Sequence, residues 1–178
     1  MCTLNRQIKC HYCSGNHNRR DCKLEAIESP ENKNKIGTIM EHFIANNLKC
    51  PECYSNELFV LGNHTPSLDI ICRTCTRKFE VKSKCLSVNK IPADINLNHG
   101  SYKYYIKRLE QQLNLIVVIY GIKCKDTIYI KEILYANNSL LLNSDVIVVN
   151  NINNRSKIVI KNKYKLEKID FKPVLINF

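Results

Sequence analysis

Glu80-Val81-Lys82 is a short E-x-K inside a run, Lys78 to Lys84, that reads as a strand. Side chains alternate along a strand, so Glu80 and Lys82 share one face while Phe79 and Val81 turn toward the core. Asp69 lies in a second strand-like run, Leu68-Asp69-Ile70-Ile71, separated from the first by Cys72–Cys75. If the two runs pair as a hairpin, Asp69 stands beside Glu80 on the same face. Two carboxylates so placed form a hard-oxygen site for Mg2+. Lys82 is then positioned to orient or deprotonate a water, or to stabilise charge on a developing phosphorane. The set suits metal-assisted hydrolysis of a phosphodiester. E-x-K alone is weak, because solvated strands often carry Glu and Lys together. The preceding Pro66-Ser67-Leu68-Asp69 and the strand–turn–strand context strengthen it.

The chain has ten cysteines. Cys50-Pro51-Glu52-Cys53 and Cys72-Arg73-Thr74-Cys75 are C-x-x-C pairs, a spacing that suits tetrahedral zinc better than a disulfide framework. Four thiolates close a structural site, which would clamp the loop after the first helix to the tip of the catalytic hairpin and fix the separation of Asp69 from Glu80. A zinc-ribbon reading of the same cysteines leaves the Asp69/Glu80/Lys82 register unexplained. A second cluster, Cys10-x2-Cys13-x3-His17-x4-Cys22, resembles a retroviral-type CCHC zinc knuckle, including its Arg20-Asp21-Cys22 ending. The usual spacing before the histidine is four residues, which leaves His11 as an alternative ligand. Tyr12, Arg19 and Arg20 are its candidates for gripping single-stranded nucleic acid; the plainer alternative is a zinc-folded stub that contacts protein. Cys2, Cys85 and Cys124 read as ordinary thiols.

Charge points the same way. The formal net charge is +11, with a pI of about 9.2. Two zinc-thiolate sites trim this to roughly +8, still an excess that favours a polyanion over an acidic protein or a membrane. No apolar run approaches the length of a bilayer span, and the N-terminus lacks the apolar stretch of a secretory signal. A soluble, intracellular protein is expected, in the cytoplasm or where DNA is replicated.

The elements that must hold these residues follow from the apolar spacing. Residues 1–23 carry the Cys/His cluster, and the polar stretch 24–35 reads as a linker before a domain spanning 36–178. Ile36, Ile39, Met40, Phe43, Ile44 and Leu48 recur at helical spacing. Strands are expected at Leu58–Leu61, at the two catalytic runs, and at Leu115–Ile122, Thr127–Leu134, Asp145–Val149 and Lys157–Lys161. A second helix fits Tyr102–Leu113, after a loop that holds His99 and Gly100. His42 and His64 read as surface or loop residues, and His99 is the histidine nearest in sequence to the E-x-K strand. This order describes an α/β fold in which a mixed sheet is flanked by helices.

The run from Cys50-Pro-Glu-Cys53 through Pro66-Ser-Leu-Asp69-Ile-Ile-Cys72-Arg-Thr-Cys75 to Phe79-Glu80-Val-Lys82-Ser-Lys84 resembles the catalytic domain of DpnI-like restriction endonucleases, which are related to the Dam-replacing proteins. The likeness is specific over residues 50–84 and extends more loosely from Ile36 to about Asn143. It implies a PD-(D/E)XK core with a four-cysteine zinc site between its catalytic strands. Mg2+ would be held by Asp69, Glu80 and the Val81 carbonyl, with Lys82 as the catalytic lysine and duplex DNA as substrate. Glu41 reads either as an outer carboxylate of that metal site or as a solvated helix residue, the second being preferred. DpnI-like enzymes carry a winged-helix domain after the nuclease, and the roughly 35 residues after Asn143 are fewer than a typical domain. Methylation-directed cutting is therefore a separate expectation from cutting itself. The competing functions are a non-catalytic, zinc-dependent nucleic-acid-binding protein and an interaction protein that keeps the nuclease fold as scaffold. The intact acidic pair and lysine count against the second.

Overall fold

The computed structural model describes residues 30–62, 68–86, 91–101, 110–124, 127–152 and 155–177. The first helix, α1, runs Pro30–Asn47. Ile36, Met40, Phe43, Ile44 and Leu48 are buried on one stripe, as their spacing predicts, with Ile39 half-buried beside it. The helix starts at Pro30 rather than Ile36, so the end of the expected linker is helical. Proline is favoured at the first helical position because its missing N–H has no partner there and its φ is already helical. Lys33, Asn34 and Lys35 are exposed, so the polar composition of this stretch marks a solvated turn.

The strands are β1 (Leu58–Val60), β2 (Ile70–Cys72), β3 (Lys78–Cys85), β4 (Ile95–Ser101), β5 (Asn114–Cys124), β6 (Thr127–Ala136), β7 (Ile147–Ile152), β8 (Arg155–Ile160), β9 (Glu167–Lys168) and β10 (Leu175–Asn177). A short helix, α2 (Asn138–Leu141), follows β6, and a 3-10 turn covers Lys163–Lys165. Seven strands form a mixed sheet in the order β1-β2-β3-β5-β6-β10, with β9 also on β6. Only β3 and β5 run parallel; the other pairs are antiparallel.

The centre of that sheet is buried on both faces, which is why β5 reads as an unbroken apolar run. Ile116, Val118 and Tyr120 join the α1 stripe in one cluster. Leu115, Val117 and Ile119 point the other way, into a cluster with Ile95, Leu97, Val146, Ile147, Ile158 and Ile160. Those partners come mainly from a second, three-stranded antiparallel sheet, β4-β8-β7. The sequence predicts a mixed sheet flanked by helices. Among the described residues a helix covers one side and this small sheet the other.

The sequence signal for β4 is faint, because only Ile95 and Leu97 alternate between asparagines. His99 and Gly100 accordingly lie on β4, not in a loop, at the point where its register against β8 shifts between Asn98 and Ser101. Residues 102–109 of the expected second helix, His64, Pro66, Ser67 and the whole N-terminal Cys/His cluster lie outside the described residues.

A buried ion pair ties the segment after β8 to β6. Lys163 donates to Glu132, and both side chains are nearly inaccessible. Lys168 Nζ approaches the same carboxylate at 4.0 Å. Breaking a buried pair leaves one charge uncompensated, so Lys163→Met is expected to cost about 3 kcal/mol in urea unfolding. The double variant Glu132→Leu/Lys163→Met should recover most of that. A double variant as unstable as the single one would show that the pair contributes more than charge compensation.

Candidate active site and metal centre

Ile70 pairs with Phe79 and Ile71 with Lys78 across β2 and β3. Continued by one step, that register sets Asp69 opposite Glu80. The Asp69 N–H donates to the Phe79 carbonyl at 3.1 Å. The Asp69 carboxylate turns back and accepts the Val81 N–H through Oδ2 at 2.7 Å. Both contacts lock Asp69 to the strand that carries the E-x-K. The expected hairpin therefore forms with the expected register.

Glu80 is 2% exposed, and Lys82 Nζ lies 2.6 Å from its Oε1. This pair is what alternation along β3 requires of two residues on one face. A carboxylate this deep keeps its charge only when paired, and Lys82, more accessible than Glu80, supplies the pairing from the solvent side.

Glu41 completes the group. It sits half-buried on α1 beside the buried stripe, one residue after Met40. Burial first, and the nearby Asp69 carboxylate second, push its carboxyl up to about 7, with Lys82 pulling the other way. The preferred reading of Glu41 as a solvated helix residue is corrected to this extent: the residue is half-buried and close enough to Asp69 and Lys82 to feel both charges. The available signal was its place at the edge of the apolar stripe, where a helix residue borders the sheet. Its sign for stability is clear. A carboxyl raised from 4.5 to about 7 favours the folded state most below 4.5, and that advantage fades as pH climbs through 7. Metal-free protein should therefore lose thermal stability between about pH 5 and pH 8 more steeply than Glu41→Gln does. Identical slopes in differential scanning fluorimetry would show that the carboxyl titrates normally.

The four cysteines also converge. Cys50 Sγ lies 3.7 Å from Cys75 Sγ, and Cys53 Sγ lies 3.6 Å from Cys72 Sγ. All four sulfur atoms fall within 4.8 Å of one another. Tetrahedral zinc with Zn–S of about 2.3 Å requires sulfurs roughly 3.8 Å apart, so the donor set fits that ion in number, softness and spacing. The backbone repeats itself at the two pairs. Tyr54 and Thr76 each follow the second cysteine and each adopt a left-handed φ of 59°. Non-glycine residues there cost about 1 kcal/mol or more, which ligation of a shared ion would offset. Burial pushes the Cys50 thiol up. Burial also raises the Cys72 thiol, but hydrogen bonds from the Cys75 backbone and neighbouring thiols bring it down to about 7.

This centre is stitched to the rest of the molecule. Arg73 N–H donates to the Glu57 carbonyl at 2.9 Å, the Ser55 and Thr74 hydroxyls meet at 2.7 Å, and the Tyr135 hydroxyl donates to Glu52. The loop after α1 is thereby clamped to the tip of the β2–β3 hairpin, as the cysteine spacing implied. His42 is exposed on α1. Among the leftover cysteines, Cys85 is half-buried near the end of β3 and packs on the core.

Among the described residues, no helix is long and apolar enough to cross a membrane. A family model described as DpnI, Dam-replacing family, matches residues 22–170. The match is broader than residues 36–143, over which the sequence resembles such enzymes, and reaches beyond β9. It includes Asp69, Glu80, Lys82 and all four converging cysteines. The chain is thus a member of the DpnI, Dam-replacing family, a restriction-endonuclease-like nuclease whose partner is DNA.

Proposed function

We propose that the protein is a Mg2+-dependent DNA endonuclease with a PD-(D/E)XK-type core, cutting phosphodiesters at Asp69, Glu80 and Lys82. The observation that carries this reading is the placement of Asp69 opposite Glu80, with Lys82 2.6 Å from Glu80. Oxygen donors in such a group suit a hard divalent cation. Asp69, Glu80 and the Val81 carbonyl would hold Mg2+. That carbonyl leaves β3 on the same side as the Val81 N–H bonded to Asp69, because the two groups of one residue in a strand point the same way. When bound, the cation supplies Lewis-acid polarisation of the phosphoryl oxygens and lowers the pKa of a coordinated water.

The chain's own side chains do the rest. Lys82, anchored on Glu80, orients the attacking water and stabilises charge on the developing phosphorane. Glu41, half-buried and close enough to Asp69 and Lys82 to feel their charges, would serve as an outer carboxylate of the site. Zn2+ at Cys50, Cys53, Cys72 and Cys75 is structural, since four thiolates leave no open position. The N-terminal cluster Cys10, Cys13, His17 and Cys22 would hold a second zinc as a CCHC knuckle, with Tyr12, Arg19 and Arg20 gripping single-stranded nucleic acid.

The test is a plasmid-cleavage assay with Mg2+ on Dam-methylated and unmethylated DNA. Strand breakage that needs the cation supports the nuclease. A preference for the methylated plasmid would extend the family likeness to methylation-directed cutting. Tight binding of both plasmids without breakage, across several divalent metals, would instead support a non-catalytic zinc-dependent nucleic-acid-binding protein.

A further inference from the structure

Past the E-x-K, β3 continues to Cys85 while its pairing with β2 extends only to Phe79. Among the described residues no other strand pairs that side of β3. The first turns of α1 come close there, and a cavity of about 250 Å3 opens between them. It is lined by Lys33 from α1, by Lys82, Ser83, Lys84 and Cys85 from β3, and by Leu97 and Tyr120 beneath. Three lysines border this space, and no acidic residue is on its wall. Lys82 is already paired with Glu80. Among the described residues, neither Lys33 nor Lys84 has a carboxylate within ion-pair distance.

Converging cations are mutually repulsive, and they are stable together when an anion occupies the space between them. Strand geometry gives the scale. Lys82 and Lys84 share a face at the i to i+2 spacing of about 6.6 Å. An anion at Lys84 and Lys33 would therefore sit one step along from the phosphodiester at Glu80 and Lys82. The larger cavity in the molecule, about 740 Å3 beside the cysteine centre, is a weaker candidate, because its Arg77 is already engaged by Glu52 at 3.9 Å and Gln112 at 3.2 Å.

We propose that the cavity between α1 and the second half of β3 is a phosphate subsite, in which Lys33 and Lys84 take a backbone phosphate of the DNA strand next to the scissile one. The assignment rests on the nuclease reading for which phosphate is scissile, but not for the binding of a phosphate. Each phosphate neutralised adds about 0.9 to the slope of log K against log salt on duplex DNA.

The experiment uses the full-length zinc-loaded chain with Ca2+ in place of Mg2+ to prevent cutting, and measures anisotropy of a labelled duplex across a salt series. Lys33→Gln/Lys84→Gln should lower the slope by about 0.9, the share of the one phosphate that the subsite holds, and Lys33→Gln alone should lower it by part of that. Lys33 is an exposed helix position, so the single variant remains readable if Lys84→Gln disturbs the strand. A control pair of exposed lysines away from the cavity, Lys123→Gln/Lys172→Gln, should leave the slope near that of the parent. An unchanged slope in Lys33→Gln/Lys84→Gln overturns the subsite, as does a parent that binds no DNA. Titration with inorganic phosphate alone separates the two sources: saturable phosphate binding lost in the double variant, with an unchanged DNA slope, would assign the cavity to a free anion and overturn the proposal. A parent that fails to cut with Mg2+ yet shows the slope change would sink the nuclease reading and leave the subsite standing.

Discussion

Glu80→Gln is expected to lower Mg2+-dependent cleavage of plasmid DNA by at least about a thousandfold, equivalent to roughly 4 kcal/mol of transition-state stabilisation. The size follows from what the residue does in the site. Glu80 is the deepest carboxylate of the group. It is the partner that holds Lys82 in place, and it stands across from Asp69. Replacing it removes an oxygen ligand and releases the lysine together, and effects on groups acting as a unit are not additive. Stability should move differently. Glu80 stands across from Asp69 as well as beside Lys82, so in the metal-free variant the lost ion pair and the relieved repulsion oppose each other and the melting temperature should move little. A residue that mainly supported the fold would show the reverse pattern. Retained cleavage in Glu80→Gln, or a large drop in melting temperature matching the loss of activity, would remove Glu80 from the reaction.

The second large effect concerns the cysteine centre. Cys72→Ser should release one equivalent of zinc, measured by atomic emission, and abolish cooperative unfolding of the nuclease domain. Structural zinc at thiolate sites binds with an apparent free energy of order 10 kcal/mol at neutral pH, comparable with the whole stability of a domain this size. The site also holds two left-handed residues, Tyr54 and Thr76, and closes the hairpin whose register places Asp69 beside Glu80. Cleavage should therefore fall with zinc content in the variant and in chelator-treated parent, and return when zinc is restored. A zinc-free protein with an unchanged melting transition would mean that the four thiols fold together without an ion.

The four-cysteine cluster and the hairpin show where sequence alone reached furthest. Strand alternation sufficed to put Glu80 and Lys82 on one face, because a period of two leaves a strand no other choice. The two C-x-x-C turns announced a shared four-sulfur centre through spacing alone. The α1 stripe and the buried run of β5 were equally legible, since a stretch that is apolar on both faces of a sheet has no polar positions to confuse it.

What escaped the sequence depended on partners distant along the chain. Glu41 is near Asp69 only because α1 packs across β1 and β3, and nothing in its neighbours along the helix carries that information. The sheet β4-β8-β7 covers the second face of β5; β7 and β8 read as strands in the sequence, but β4 offers only Ile95 and Leu97 between asparagines, and nothing local tells that the three pair over β5. The lysine cavity exists because pairing with β2 ends while β3 continues toward α1. Sequence determined which side chains share a strand face or a turn, because local backbone geometry settles those relations. Only the tertiary structure decided which carboxylates and cations meet across elements, because those encounters are set by packing that buries apolar surface and by where each strand loses its neighbour.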